Sequence, residues 1–348
     1  MQHPPLGGQV YSPYRAIRKP PLEAVVADFG VYMKKAMKVI GIIVLVIAAL
    51  IAVLWVKNLI DANKPYVSDT YYNDFESSTL LEQKYAGIGS YSVSKTEYKS
   101  DNKNIDKISV WYPSDLKSSD REWPMIMVVN ASNTRVRNYK PFFERLASWG
   151  FIVVGNEDPQ CGTGETASIT LDYMLNLPSD SVLNGKIDKE NIGIIGYSQG
   201  GAGAINAVTR YENGNIYKTM FTGSAAFQLL SKNMGWEYDI SKVTIPYFMA
   251  AGTGTSDDSG KYGEGDYQGV APLHGVKENY DDITADVFKV MGRITGAEHG
   301  DMLVLSDGYM TAWMLYQLQE DEKAGTIFIG DDAEILHNDG WQDVEKSK

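Results

Sequence analysis

Apolar positions along the chain fall into three regimes, and each predicts a different kind of structure. From Val39 to Val56 the sequence reads VIGIIVLVIAALIAVLWV, an uncharged apolar run. A helix that buries one face keeps a polar stripe; this run has none, and its length approaches the roughly 20 residues needed to cross a bilayer. It predicts a transmembrane helix over 39–57. Before it, residues 1–38 begin with Pro4, Pro5, Gly7, Gly8, Pro13, Pro20 and Pro21 and read as a disordered tail. After it, residues 58–85, rich in Tyr, Asn, Asp and Ser, read as a stalk.

The third regime starts at residue 86, where short apolar runs alternate with stretches of helical spacing. Strands are predicted over 89–98, 107–112, 125–129, 151–154, 192–197, 218–223, 244–251 and 287–294, and helices over 139–149, around Ile169–Met174, over 202–208 and over 309–319. Lys186–Asn191 reads as a polar turn. Such alternation predicts one α/β domain over 86–348, with a mainly parallel sheet and helices on both faces.

Charge adds an orientation and removes a class of partners. The formal net charge is -12; residues 1–38 carry six Lys or Arg against two acids, which leaves -16 for the remainder. An acidic domain of that kind repels nucleic acid. Lys19, Lys34, Lys35 and Lys38 precede the apolar run, while Lys57 and Lys64 follow it. The bias predicts a single-pass protein of the cell membrane, N-terminus cytoplasmic and domain outside. The rival is a cleaved signal peptide starting at Met33-Lys34-Lys35, which would release a secreted domain. Against it, Leu54-Trp55-Val56-Lys57 offers no small-x-small cleavage site. Cys161 is the single cysteine, which excludes an intrachain disulfide and zinc sites built from several thiolates.

Candidate chemistry centres on Gly196-Tyr197-Ser198-Gln199-Gly200, where a β-branched run gives way to a small-residue helix. This is the pattern of a nucleophile elbow, a turn so tight that the residues two before and two after the serine must lack side chains. Ser198 then needs a base and a carboxylate to orient it. Of four histidines, His3 lies in the tail, His337 in a polar C-terminal segment, and His274 opens a helix ahead of a strand. His299, in the loop beyond the 287–294 strand, is the candidate base. The acid should follow the 244–251 strand: Asp257 is the first choice, with Asp258 and Asp266 as alternatives. Asp257, Asp258, Glu264 and Asp266 lack the spacing of an EF-hand calcium loop. A developing oxyanion would meet the backbone N–H of Gln199 and a second from the loop after Val129, either Ser132 or its neighbour Ala131. Cys161 lies in a loop with no elbow and no adjacent histidine, so it reads as an inert thiol. Tyr197, Phe227 and Trp236 are candidates to line a subsite.

Together Gly196–Gly201, Gly252-Thr253-Gly254 before Asp257, Gly296-Ala297-Glu298-His299 and Leu146-Ala147-Ser148-Trp149-Gly150-Phe151 resemble an α/β-hydrolase of the dienelactone-hydrolase, chlorophyllase and cutinase-like branch. The likeness covers roughly residues 86–325. It implies an eight-stranded, mostly parallel sheet and a Ser-Asp-His triad that cleaves carboxylic esters without metal or cofactor. The elbow nucleophile here is serine, where true dienelactone hydrolases use cysteine. The expected activity is a membrane-anchored serine esterase or lipase acting on small-molecule or lipid-like esters. The same triad would serve a peptidase or acyltransferase, and the same frame without chemistry a binding domain.

Overall fold

The computed structural model describes residues 22–263 and 265–348; of residues 22–31 and 61–63 only the backbone course is described. The chain divides into two units, one ending at Ala62 and one spanning Asn63–Lys348. In the first, α1 (Leu22–Asn63) is a single continuous helix. Its stretch Tyr32–Ile60, 29 residues with none buried, is long and apolar enough to cross a membrane. Residues 22–38 are therefore helical where an irregular tail was expected. Leu22, Glu23 and Ala24, all good helix formers, open this stretch. The remainder of the expected tail, with His3, lies outside the described residues, as does Glu264.

The second unit is built on one sheet. Its strands are β1 (Val93–Lys99), β2 (Lys107–Pro113), β3 (Trp123–Val129), β4 (Ile152–Asn156), β5 (Ile187–Tyr197), β6 (Tyr217–Gly223), β7 (Tyr247–Gly252), β8 (Lys289–Ile294) and β9 (Trp341–Lys346). They lie in the order β1-β2-β4-β3-β5-β6-β7-β8-β9. From β4 to β8 all pairings are parallel; β1–β2, β2–β4 and β8–β9 are antiparallel. The sheet is thus mixed and has nine strands, one more than expected. The additional β9 is a polar edge strand with little apolar patterning. β5 also starts earlier than expected: Ile187 pairs with Trp123 beyond a bulge, so the polar turn of 186–191 is largely strand.

Helices cover both faces. They are α2 (Leu80–Ala86), α3 (Lys140–Ser148), α4 (Glu165–Leu175), α5 (Gln199–Arg210), α6 (Gln228–Asn233), α7 (Leu273–Asp282), α8 (Met302–Leu305), α9 (Asp307–Gln319) and α10 (Glu322–Gly325). Alternate strand residues feed two cores. Met125, Met127, Ile192 and Ile194 meet Leu171 of α4 and Ile205 of α5 on one side. Ile126, Val128, Ile195 and Phe221 meet Phe142 and Phe143 of α3 and Trp313 of α9 on the other. That is the period of two expected of strands buried on both faces.

The expected stalk is corrected over most of its length. Residues 71–86 carry the buried Tyr71, Phe75, Tyr85 and Ala86 into the fold. Tyr71 donates its hydroxyl to Asp307 Oδ2 at 2.5 Å and accepts from Arg145 Nε at 3.0 Å. Arg145, itself buried, meets Asp307 Oδ1 at 2.8 Å and donates to the Tyr85 carbonyl at 3.0 Å. Burial pushes the Asp307 carboxyl up to about 6, against the pull of Arg145 and Tyr71. Nearer α1, Tyr66 N donates to the Asn138 carbonyl at 2.9 Å, and Asn138 Nδ2 donates to the Lys64 carbonyl at 3.0 Å. A tyrosine-rich stretch looks polar in sequence, yet each ring can be buried with only its hydroxyl needing a partner.

Candidate active site

Every parallel strand ends at the same edge of the sheet, and the loops beyond β3, β5, β7 and β8 gather there, the usual place for a site in an α/β fold. Ser198 stands at the turn from β5 into α5 with φ 57° and ψ −124°. For a non-glycine residue that conformation is strained and persists because its surroundings hold it. Ser198 N donates to the Gly223 carbonyl at 3.0 Å, and the Ser198 carbonyl accepts from Gly201 N at 2.9 Å and Ala226 N at 3.2 Å. A Cβ on Gly196 would collide with the Gly200 carbonyl, and one on Gly200 with the carbonyls of Val129 and Asn130. Both glycines are required by close approach.

Asp257, in the loop after β7, is fully buried. Its Oδ1 accepts from His299 Nδ1 at 2.6 Å. Its Oδ2 accepts from Gly252 N at 2.8 Å and from the Ser224 hydroxyl. His299 keeps 27% of its side chain exposed. It lines a cavity of about 220 Å³ together with Ser198, Ser132, Ala131, Tyr197 and Tyr66. The serine and the imidazole thus face one space, and the imidazole is held from behind by a buried carboxylate.

The alternative acids lie elsewhere. Asp258 Oδ2 pairs with Arg293 Nη1 at 2.7 Å, and Asp258 Oδ1 accepts from Tyr262 at 2.5 Å. Asp266 accepts from Gly263 N, at 2.9 Å, in an exposed turn. His274 sits between the rings of Phe227 and Tyr262, with centroid separations of 5.5 and 5.2 Å, beside a different cavity. His337 is exposed. Cys161 is buried, donates to the Asp158 carbonyl at 3.1 Å, and has its thiol pushed up to about 12 by burial and then by Asp158. A thiol so placed is a poor nucleophile.

Gln199, the first residue of α5, is buried, and its amide nitrogen donates to Gln160 Oε1 at 3.0 Å. Ser132 and Ala131 both line the cavity, but Ala131 N is already spent on the Tyr139 hydroxyl at 3.1 Å. Asn130 braces this loop by donating to the Asn156 and Asp158 carbonyls, each at 2.8 Å. Of the three subsite candidates, Tyr197 lines the cavity, whereas Phe227 meets His274 and Trp236 covers Gly162. Among the described residues, no group of three or more His, Cys, Asp or Glu is arranged to hold a metal ion.

Four contributors were not singled out from sequence: Tyr66, Tyr139, Ser224 and Glu298. Glu298 Oε1 accepts from Thr255 N at 3.2 Å and Oε2 from Ser256 N at 3.0 Å and from the Ser256 hydroxyl, while Ser256 Oγ accepts from His299 N at 2.9 Å. Glu298 thereby staples the loop bearing the acid to the loop bearing the imidazole. Its adjacency to His299 was the only available signal.

Residues 78–216 match the PETase family model, described as PET hydrolase-like. This segment belongs to that α/β-hydrolase family. No curated protein matches the chain. The PET hydrolase-like segment carries β1 to β5 and α2 to α5, and with them Ser198, Gln199 and Ser132; Asp257 and His299 lie beyond it. Within the branch that the motifs resembled, the cutinase-like polyester hydrolases are thus the group that matches. The likeness of this segment is to a family of carboxylic-ester hydrolases of α/β fold.

Proposed function

We propose that the protein is a serine hydrolase that cleaves carboxylic esters through an acyl-enzyme and is held at a membrane by α1. The observation that carries the reading is the buried Asp257 bound to His299 Nδ1 at 2.6 Å, with the imidazole facing Ser198 across one cavity. With Nδ1–H held by Asp257, Nε2 is left as the basic nitrogen. Ser198 Oγ attacks the ester carbonyl carbon as Nε2 takes its proton. The oxygen of the tetrahedral adduct is met by the backbone N–H of Gln199 and Ser132. Collapse expels the alcohol, which takes the proton from Nε2, and leaves the acyl group on Oγ. Water, deprotonated by Nε2, then attacks the acyl carbonyl, and the carboxylic acid departs as Oγ is reprotonated.

Hydrolysis of p-nitrophenyl esters and labelling by a fluorophosphonate test this in the full chain. Ser198→Ala is expected to abolish labelling and to lower kcat by roughly 10⁶-fold. Asp257→Asn should cost roughly 10⁴-fold through the wrong imidazole tautomer, with Asp266→Asn near wild type. Turnover that survives Ser198→Ala would sink the mechanism. Membrane attachment through residues 39–57 predicts that the chain sediments with membranes and resists extraction by alkaline carbonate. An N-terminus inside and a hydrolase outside predict digestion of the domain by protease added to intact cells.

A further inference from the structure

The PET hydrolase-like match begins at residue 78, yet one wall of the Ser198 cavity comes from before it. Tyr66 is held on both sides: its own N–H donates to the Asn138 carbonyl, and Asn138 Nδ2 donates to the Lys64 carbonyl, at 2.9 and 3.0 Å. Its ring lies almost flat on Tyr139, with centroids 5.5 Å apart and planes 19° apart. Tyr139 is buried, and its hydroxyl bonds Thr134 Oγ1 at 2.9 Å and Ala131 N at 3.1 Å. One face of the Tyr66 ring is therefore positioned against the loop that bears Ser132.

The residue is nevertheless 59% exposed, so much of its surface is open at the mouth of the cavity. Among the described residues lining this space, none carries a fixed charge: the others are Tyr, Ala, Ser, Gly, His and Leu. About 220 Å³ is less than the roughly 300 to 1,000 Å³ of typical ligand pockets, so a larger substrate must extend to the rim. An uncharged apolar group arriving there meets the open Tyr66 ring.

We propose that Tyr66 is a specificity-determining wall of the Ser198 cleft, which selects esters whose apolar substituents are large enough to reach it. The inference rests on the serine-hydrolase reading above. A small ester reacts without touching the ring; a large one gains apolar contact with it.

The test compares Tyr66→Ala and Tyr66→Phe in the full chain on methyl acetate and on p-nitrophenyl hexanoate. Loss of aromatic contact is expected to lower kcat/KM of Tyr66→Ala on the large ester by about 10-fold, mainly through KM. On methyl acetate the change should stay within about 2-fold, and Tyr66→Phe should keep wild-type selectivity. Equal losses on both esters would show that Tyr66 serves the fold alone, and no loss on either would show that substrate never meets it; both outcomes overturn the proposal. Failure of the underlying reading looks different, since there turnover by the wild type would survive Ser198→Ala.

Discussion

His299 and Asp257 are brought together by side chains that do no chemistry themselves. Glu298 is exposed, and its carboxyl is held below the usual range first by the Ser256 hydroxyl, then by the N–H groups of Ser256 and Thr255. Losing these bonds frees one loop from the other, and small displacements of catalytic groups are costly. Glu298→Ala is therefore expected to lower kcat about 10-fold with KM within about 2-fold, while Glu298→Gln, which keeps the acceptor, recovers most of the rate. Because the side chain is exposed, its effect on the melting transition should be small. Steady-state kinetics beside thermal denaturation separate the two effects. The choice between Asp257 and Asp258 shows what neighbouring residues conceal in sequence. They are adjacent, and what tells them apart is Arg293, which takes Asp258 out of contention from 35 positions away.

At the level of elements, two ionic clusters secure the segments around the sheet. Arg145 on α3, Tyr71 before α2 and Asp307 on α9 form a buried triad. Arg145→Met leaves the Asp307 carboxyl without its cation in a site closed to water, and an equilibrium urea melt should show a loss of about 3–5 kcal/mol. Arg293 on β8 holds Asp258 and also Asp343 of β9, its Nη2 lying 2.7 Å from Asp343 Oδ2. Partial burial pushes both carboxyls up, but hydrogen bonds to each and the Arg293 guanidinium outweigh it and hold both below the usual range. Their folded values lie under the unfolded value of about 3.9. The stability they contribute is thus present above that pH and lost as pH falls through the folded values. Urea midpoints should therefore drop on acidification from about pH 5 to pH 3, and the double variant Asp258→Asn with Asp343→Asn should drop less. Eight strands were legible: β3 to β8 because a buried parallel strand is a run of β-branched and apolar residues, β1 and β2 through their alternation of apolar and polar positions. β9 and the Tyr71–Ala86 segment were not, since what defines them is partners more than two hundred residues away or a strand edge, neither of which leaves a local pattern.

For the molecule as a whole, the candidate site was legible wherever chemistry dictates order: a serine in an elbow, then an acid, then a histidine, each just past a strand. Its walls were not, because Tyr66 and Tyr139 meet the site only through the fold. The sheet that carries this site ends on both sides in antiparallel strands, β1 with Lys95, Glu97 and Lys99, and β9 with Asp343, Glu345 and Lys346. An uncovered strand edge is a template on which a second chain can add, and charged side chains are a common way of discouraging it. Beneath β9 lies β8, Lys289–Ile294, with five of its six residues buried. A chain ending at Gly340 would bare that edge, and light scattering in detergent, which covers α1 in both chains, should detect association of its copies where the full chain stays monodisperse. On that outcome residues 341–348, far in sequence from Ser198, guard the sheet against pairing with its own copies.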